Sequence, residues 1–133
     1  MRRPVAADPA TLPGFLLRNA AELGERTAIR EKDRGIWQAR TWREYRDEVR
    51  LLALGLAALG FERGDKLSVI GDNRPRLYWA QVAAQALGGI AVPVYQDSIA
   101  KELGWVLDHA EVSILVAEDQ EQVDKIAALK AEL

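Results

Sequence analysis

The sequence predicts an α/β fold: an N-terminal helix and a β-hairpin, then three β-α units forming a small parallel sheet flanked by helices. Three observations predict it. Segments 67–70, 90–94 and 112–116 are short, rich in β-branched residues and almost continuously apolar, the pattern of strands buried on both faces. Helical segments follow each of them, at 75 to about 87, 99 to about 110, and 120 to the end. The resulting β-α-β-α-β-α order calls for parallel pairing through right-handed crossovers.

The elements are justified in chain order. Residues 1–10 carry two prolines and little periodicity, and read as a loose lead-in. Leu12, Phe15, Leu16, Ala20 and Leu23 then share one helical face, with Thr11 as N-cap, Pro13 in the first turn and Gly24 as the stop. Segments 27–32 and 36–40 read as strands joined by the turn Lys32-Asp33-Arg34-Gly35, a hairpin. Thr41-Trp42-Arg43-Glu44 fits a capping box. Behind it Trp42, Tyr45, Val49, Leu52, Ala53, Leu56 and Leu59 form an apolar stripe that Gly60 closes. Gly55 inside this helix costs about 1 kcal/mol relative to Ala, which points to close approach of a neighbouring element. Asp72 or Asn73, Ser98 and Asp119 are expected to cap the three later helices, the first with Pro75 in its opening turn. Pro93 removes a ladder donor and places its strand at an edge or a bulge. Gly88-Gly89 reads as a helix stop and a tight turn.

Composition narrows the function classes. The 133 residues are 49% hydrophobic and 29% charged, with a net charge of -2, so no basic excess exists to hold a nucleic-acid backbone. Cysteine is absent and His109 is the one histidine, which removes disulfides, thiolate zinc sites and a Cys nucleophile. Only carboxylates remain as metal ligands, and they suit a hard cation such as magnesium. No apolar run reaches the roughly 20 residues of a membrane span, and Asp8 and Pro9 interrupt any signal core after the basic start. The expected compartment is the cytoplasm, with peripheral membrane contact left open.

Open parallel sheets bind ligands beyond the carboxyl ends of their strands. Here those ends carry Asp72 and Asn73, Gln96 and Asp97, and Glu118 and Asp119. Such carboxylates could hold magnesium or orient a hydroxyl, or could serve as helix caps and turn formers, and capping is the favoured expectation. Gly71-Asp72-Asn73-Arg74-Pro75 leads from a strand into a helix N-terminus, the geometry of a weak anion site, and a structural turn followed by an N-terminal proline is the favoured expectation. Ser68, Ser98 and Ser113 lack a nucleophile-elbow context, and no nucleophile–base pair is present. His109 is expected on the surface near a helix end. Of the four tryptophans, Trp42 and Trp79 fit the core, Trp37 on the hairpin is expected to be exposed, and Trp105 is unassigned.

The run Gly64-Asp65-Lys66-Leu67-Ser68-Val69-Ile70-Gly71-Asp72-Asn73-Arg74-Pro75, followed by Tyr78-Trp79-Ala80, resembles the first part of AMP-forming acyl-CoA synthetases. The resemblance continues through Ala84-Gln85-Ala86-Leu87-Gly88-Gly89-Ile90-Ala91-Val92-Pro93-Val94-Tyr95 and Val106-Leu107-Asp108-His109-Ala110-Glu111. Tyr95-Gln96-Asp97-Ser98 is most similar to the long-chain fatty acid–CoA ligase branch of this adenylate-forming superfamily.

The resemblance implies that residues 11–133 are an N-terminal subdomain fragment of an AMP-binding domain. It implies a ligase of fatty acid metabolism that converts ATP, fatty acid and CoA into acyl-CoA, AMP and pyrophosphate through acyl-AMP. ATP, magnesium and coenzyme A would serve the full-length enzyme, and none is expected for the fragment. The family's phosphate loop, adenylate motif and C-terminal lysine have no counterpart in these residues. No catalytic, cofactor-binding or metal residue is therefore assigned, and the fragment is expected to be an inactive scaffold whose partner is the remainder of its own polypeptide. The last helical segment still has Val123, Ile126, Ala127 and Leu133 in period at the final residue, so the reading is of a chain cut from something longer. The alternative is a standalone flavodoxin-like module, either signalling through Asp72, Asp97 and Asp119 or binding a protein partner.

Overall fold

The structure, a computed structural model, describes residues 10–130. The expected lead-in at 1–9 and the helical period at Leu133 lie outside the described residues. The elements are α1 (Leu12–Leu23), β1 (Thr27–Asp33), β2 (Ile36–Thr41), α2 (Trp42–Ala58), β3 (Lys66–Ile70), α3 (Pro75–Ala86), β4 (Ile90–Val94), α4 (Ala100–His109), β5 (Ile114–Ala117) and α5 (Gln120–Lys130).

Local chemistry places the first half. The Gly14 N–H donates to Thr11 Oγ1 at 3.1 Å and starts α1. Arg34 and Gly35 take φ of 49° and 81°, the paired positive values of a two-residue hairpin turn between β1 and β2. The capping box of α2 is complete: Glu44 N–H donates to Thr41 Oγ1 at 3.1 Å, and Thr41 N–H to Glu44 Oε2 at 3.0 Å. Such a cap stabilises a helix by about 1 kcal/mol.

The second half builds a parallel sheet in the order β4-β3-β5, with β3 in the centre. Alternation along β3 divides the core in two. Leu67 and Val69 face a layer formed by α1, α2 and α3, where Leu16, Val49, Leu56, Leu77, Trp79 and Ala83 are buried. Ile70 faces the other layer, where Leu103 and Leu107 of α4 meet Leu129 of α5. Ser68 is fully buried, and its hydroxyl donates to the Val92 carbonyl at 2.8 Å, which satisfies it.

Several expectations need correction. Only β3 is buried on both faces; β4 and β5 flank it as edge strands and stay half open. Segment 112–113 precedes β5 and is not part of it. Pro93 faces Val69 in unbroken register, so the edge reading holds and no bulge forms. Asp72, Asn73 and Ser98 do not cap: the N-caps of α3 and α4 are Arg74 and Ile99, neither with a side-chain cap bond. Asp119 does cap α5, accepting the Gln122 N–H at 3.1 Å. Of the α2 stripe, Leu52 and the C-cap residue Leu59 are exposed, the latter 76%. They lie roughly 60–80° round the helix from the buried Val49–Leu56 line at about 100° per residue. A Cβ at Gly55 would meet nothing within 4 Å, so the expected close neighbour is absent among the described residues. Trp79 is buried and Trp42 half-buried, whereas Trp37 and Trp105 are both exposed. The Trp105 ring stacks on exposed His109 at 4.7 Å.

Tyr45 sits between Trp42 and Trp79, with ring centroids 6.2 Å from each. Burial, and secondarily the nearby Tyr78, pushes its phenol above the ordinary value of 10.0. As pH rises through about 10, the unfolded chain releases this proton while the folded chain keeps it, so stability falls in that window. Tyr45→Phe is expected to flatten the alkaline decline of the urea midpoint relative to the parent chain. Parallel declines in both proteins would refute the assignment.

Candidate functional site

Because β3, β4 and β5 are parallel, the loops that leave their carboxyl ends share one edge of the sheet. The chain runs from β3 to β4 on one side, then crosses to β5 on the other. The point where the order reverses, between β3 and β5, is where open α/β sheets place a ligand crevice.

In this chain that crevice is filled from within. Gly71 has φ of 153°, and a Cβ there would lie 2.4 Å from Glu118 Cβ. Its bare backbone lets the Glu118 side chain lie across the β3 loop. The Glu118 carboxylate accepts the Asp72 backbone N–H with one oxygen and the Arg74 Nε–H with the other. The same residue's backbone N–H donates to the Ile70 carbonyl at 3.0 Å, extending the β3–β5 pairing by one bond.

Arg74 also stands 3.7 Å from Glu31 of β1 and so connects the hairpin to the sheet. Its hydrogen bond to Glu118, then the charges of Glu118, Asp72 and Glu31, push its pKa above the ordinary value; the guanidinium stays charged. Across the loops, Gln96 Nε2 donates to Asp72 Oδ1 at 2.6 Å. Lys125 Nζ donates to the Gln96 carbonyl at 2.6 Å and to Gln122 Oε1 at 3.2 Å. Two recesses remain. One of about 390 Å³ runs between the β3 and β4 loops, from Gly71 to Asp97. One of about 350 Å³ is bordered by Asp97, Asp119 and Lys125.

The structure thus gathers Asp72, Gln96 and Glu118 into one hydrogen-bonded network, while Asp97 and Asp119 border the second recess. Among the described residues, no group of three or more His, Asp or Glu is placed to hold a metal ion. The Asp72, Glu118 and Asp119 carboxylates are taken up by amide and guanidinium donors. In Gly71-Asp72-Asn73-Arg74-Pro75, where a structural turn is the expectation favoured over a weak anion site, the Asp72 N–H donates to the Glu118 carboxylate. A nucleoside triphosphate does not fit this edge, where Asp97, Asp119 and Glu121 line one recess and Glu118 occupies the Asp72 N–H. Sequence reasoning missed Arg74 and Lys125, the two cations that organise the loops. Their partners Glu118 and Gln96 lie 44 and 29 residues away, beyond any local pattern.

With the fold and its strand-end loops in view, comparison with known proteins decides the family. The model of the AMP-binding enzyme family matches residues 16–133. The chain belongs to the AMP-binding enzyme family. Among relatives, the Mycobacterium tuberculosis protein Rv1549 is 37% identical over 113 residues, covering 80% of this chain and 64% of its own length. The long-chain-fatty-acid–CoA ligase FadD15 of the same organism is 33% identical over 95 residues, covering 71% of this chain and 16% of the ligase. A Rhodopseudomonas palustris protein assigned as a long-chain-fatty-acid CoA ligase superimposes with a TM-score of 0.81 at 29% identity, covering 92% of this chain and 30% of that one. The chain therefore spans less than two thirds of each of these proteins. The α/β architecture, with its three-stranded parallel sheet between helices, is that of this family's adenylate-forming enzymes.

Proposed function

We propose that this AMP-binding family segment scaffolds a long-chain fatty acid–CoA ligase. The reaction would join fatty acid and CoA at the expense of ATP, through acyl-AMP, releasing AMP and pyrophosphate. The observation that carries this reading is the similarity to FadD15 over 71% of the chain and to the Rhodopseudomonas palustris protein over 92% of it. Magnesium would screen the phosphates and CoA would supply the attacking thiol, both held by residues outside the 133 in hand. A cytoplasmic site of action fits the reading, and no helix among the described residues is long and apolar enough to cross a membrane.

In this proposal the strand-end network is structural. Arg74 and Glu118 hold the β3 and β5 loops in one arrangement, and Arg74 orients the hairpin through Glu31. That would give the rest of a ligase a fixed surface to build on. The test has two arms. The purified 133-residue chain, given ATP, magnesium, palmitate and CoA, is expected to release no pyrophosphate above background. A FadD15 chimera carrying this chain in place of its matching segment is expected to form palmitoyl-CoA. Palmitate-dependent pyrophosphate release by the chain alone would overturn the scaffold role. A folded chimera without ligase activity would overturn the ligase assignment.

A further inference from the structure

The β1–β2 hairpin has two unlike faces. Residues paired across an antiparallel ladder share a face. The pairs Lys32–Trp37 and Arg30–Ala39 therefore put those four residues on one side. The pairs Glu31–Gln38 and Asp33–Ile36 lie on the other. There Glu31 stands 3.7 Å from Arg74, so that side meets the body of the fold and the Trp37 side looks away from it. All four residues of the outward side are exposed, Trp37 by 64%. Ile36, next to the turn, is 64% exposed as well.

Charge follows the same division. Residues 30–40 carry four cations against two carboxylates, in a chain whose net charge is -2. Both carboxylates, Glu31 and Asp33, are on the inner side, so the charge on the outward side is purely positive. Arg30 and Lys32 have no ion-pair partner among the described residues. The Arg30 guanidinium lies 6.0 Å from the Trp37 ring centroid. Arg34 adds a third cation at the turn.

This pattern complements one kind of surface. Tryptophan settles at the boundary of hydrocarbon and headgroups, its ring in the apolar layer and its N–H toward water. Basic residues beside it meet the negative charge of the headgroups. A neutral bilayer would leave the cations unmatched, and a single-stranded nucleic acid would leave Ile36 in water. Charges act over only about 10 Å at 0.1 M salt, so the face that touches decides the contact and the overall negative charge does not.

We infer that the outward face and tip of the β1–β2 hairpin are a docking site for an anionic lipid bilayer. Arg30, Lys32 and Arg34 meet the headgroup phosphates, while Trp37 and Ile36 enter the headgroup–acyl boundary. The site shares no residue with the strand-end network, and the inference does not rest on the ligase reading.

The test is co-sedimentation of the 133-residue chain with vesicles of phosphatidylcholine, alone or mixed with phosphatidylserine, without ATP, palmitate or CoA. Binding to the mixed vesicles is expected to be tighter by about tenfold or more. Arg30→Gln together with Lys32→Gln is expected to weaken it by about twentyfold, at about fivefold per charge. Trp37→Ser is expected to weaken it too, and to remove the blue shift of tryptophan emission on binding. Trp105→Ser, at an equally open position on α4 (65% exposed), is expected to change neither. These positions are exposed, and an unchanged urea midpoint checks that each variant keeps the fold. In the FadD15 chimera the Arg30 and Lys32 substitutions are expected to weaken vesicle binding as well, whether or not the chimera has ligase activity. Equal binding to both vesicle types, insensitivity to Trp37→Ser, or an equal loss with Trp105→Ser would each overturn the proposal. So would retention on single-stranded DNA without vesicle binding. A chimera indifferent to the Arg30 and Lys32 substitutions would overturn it too, because the remainder of a ligase chain would then cover this face.

Discussion

Gly71→Ala is expected to destabilise the chain by about 4 kcal/mol, the sum of backbone strain and overpacking terms of about 1–3 kcal/mol each. The added Cβ would stand 2.4 Å from Glu118 Cβ, 2.6 Å from Glu118 Oε2 and 3.0 Å from Leu77 Cδ1. The φ of 153° at this position disfavours any side chain on its own account. Relief would require Glu118 to leave the Asp72 N–H and Arg74, so the substitution attacks the β3–β5 loop contact at its centre. The check is a shift of the urea midpoint with unchanged m-value, measured in a double-mutant cycle with Glu118→Gly. Glu118→Gly removes the obstructing atoms, so it is expected to recover part of the Gly71→Ala loss. A loss below about 1 kcal/mol, or strict additivity in the cycle, would show that Gly71 and Glu118 do not meet.

Leu103→Ala is expected to cost about 3 kcal/mol, within the usual 2–5 for a buried leucine truncated to alanine. Leu103 is 1% exposed and lies in the smaller layer with Ile70, Leu107 and Leu129. That layer has little room to rearrange: a Cβ on neighbouring Gly104 would already come within 3.1 Å of Leu129 Cδ2. The cavity should therefore persist rather than close. Urea unfolding gives the magnitude, and amide exchange locates it, with protection expected to fall first in α4, β5 and α5. A cost under 1 kcal/mol would mean that α4 and α5 do not form a packed layer on the sheet.

What was legible in the sequence was local. Thr41 and Glu44 satisfy each other within a single turn, so three residues of spacing announced the α2 N-terminus. Arg34-Gly35 supplied the positive φ values that a two-residue hairpin turn requires. The β3, α3 and β4 boundaries followed from Pro75, Gly88 and the β-branched runs. Errors arose where a residue's fate depended on distant chain. Leu52 and Leu59 are in helical period with the core stripe, yet they stay 37% and 76% exposed. Asp72 has cap chemistry, but Gln96 supplies its side-chain bond and Arg74 takes the cap position.

The amino-acid sequence by itself determined the order and nature of the elements, the parallel sheet and the family. The elements and the sheet rest on spacing, turn chemistry and hydrophobic period over a few residues, and the family rests on likeness along residues 16–133. Tertiary structure alone decided that β3 is the central strand and that Glu118 closes the crevice beside it. The physical reason is that these features join residues tens of positions apart. Whether such groups meet is settled by how helices and strands stack around β3, and no local pattern encodes that.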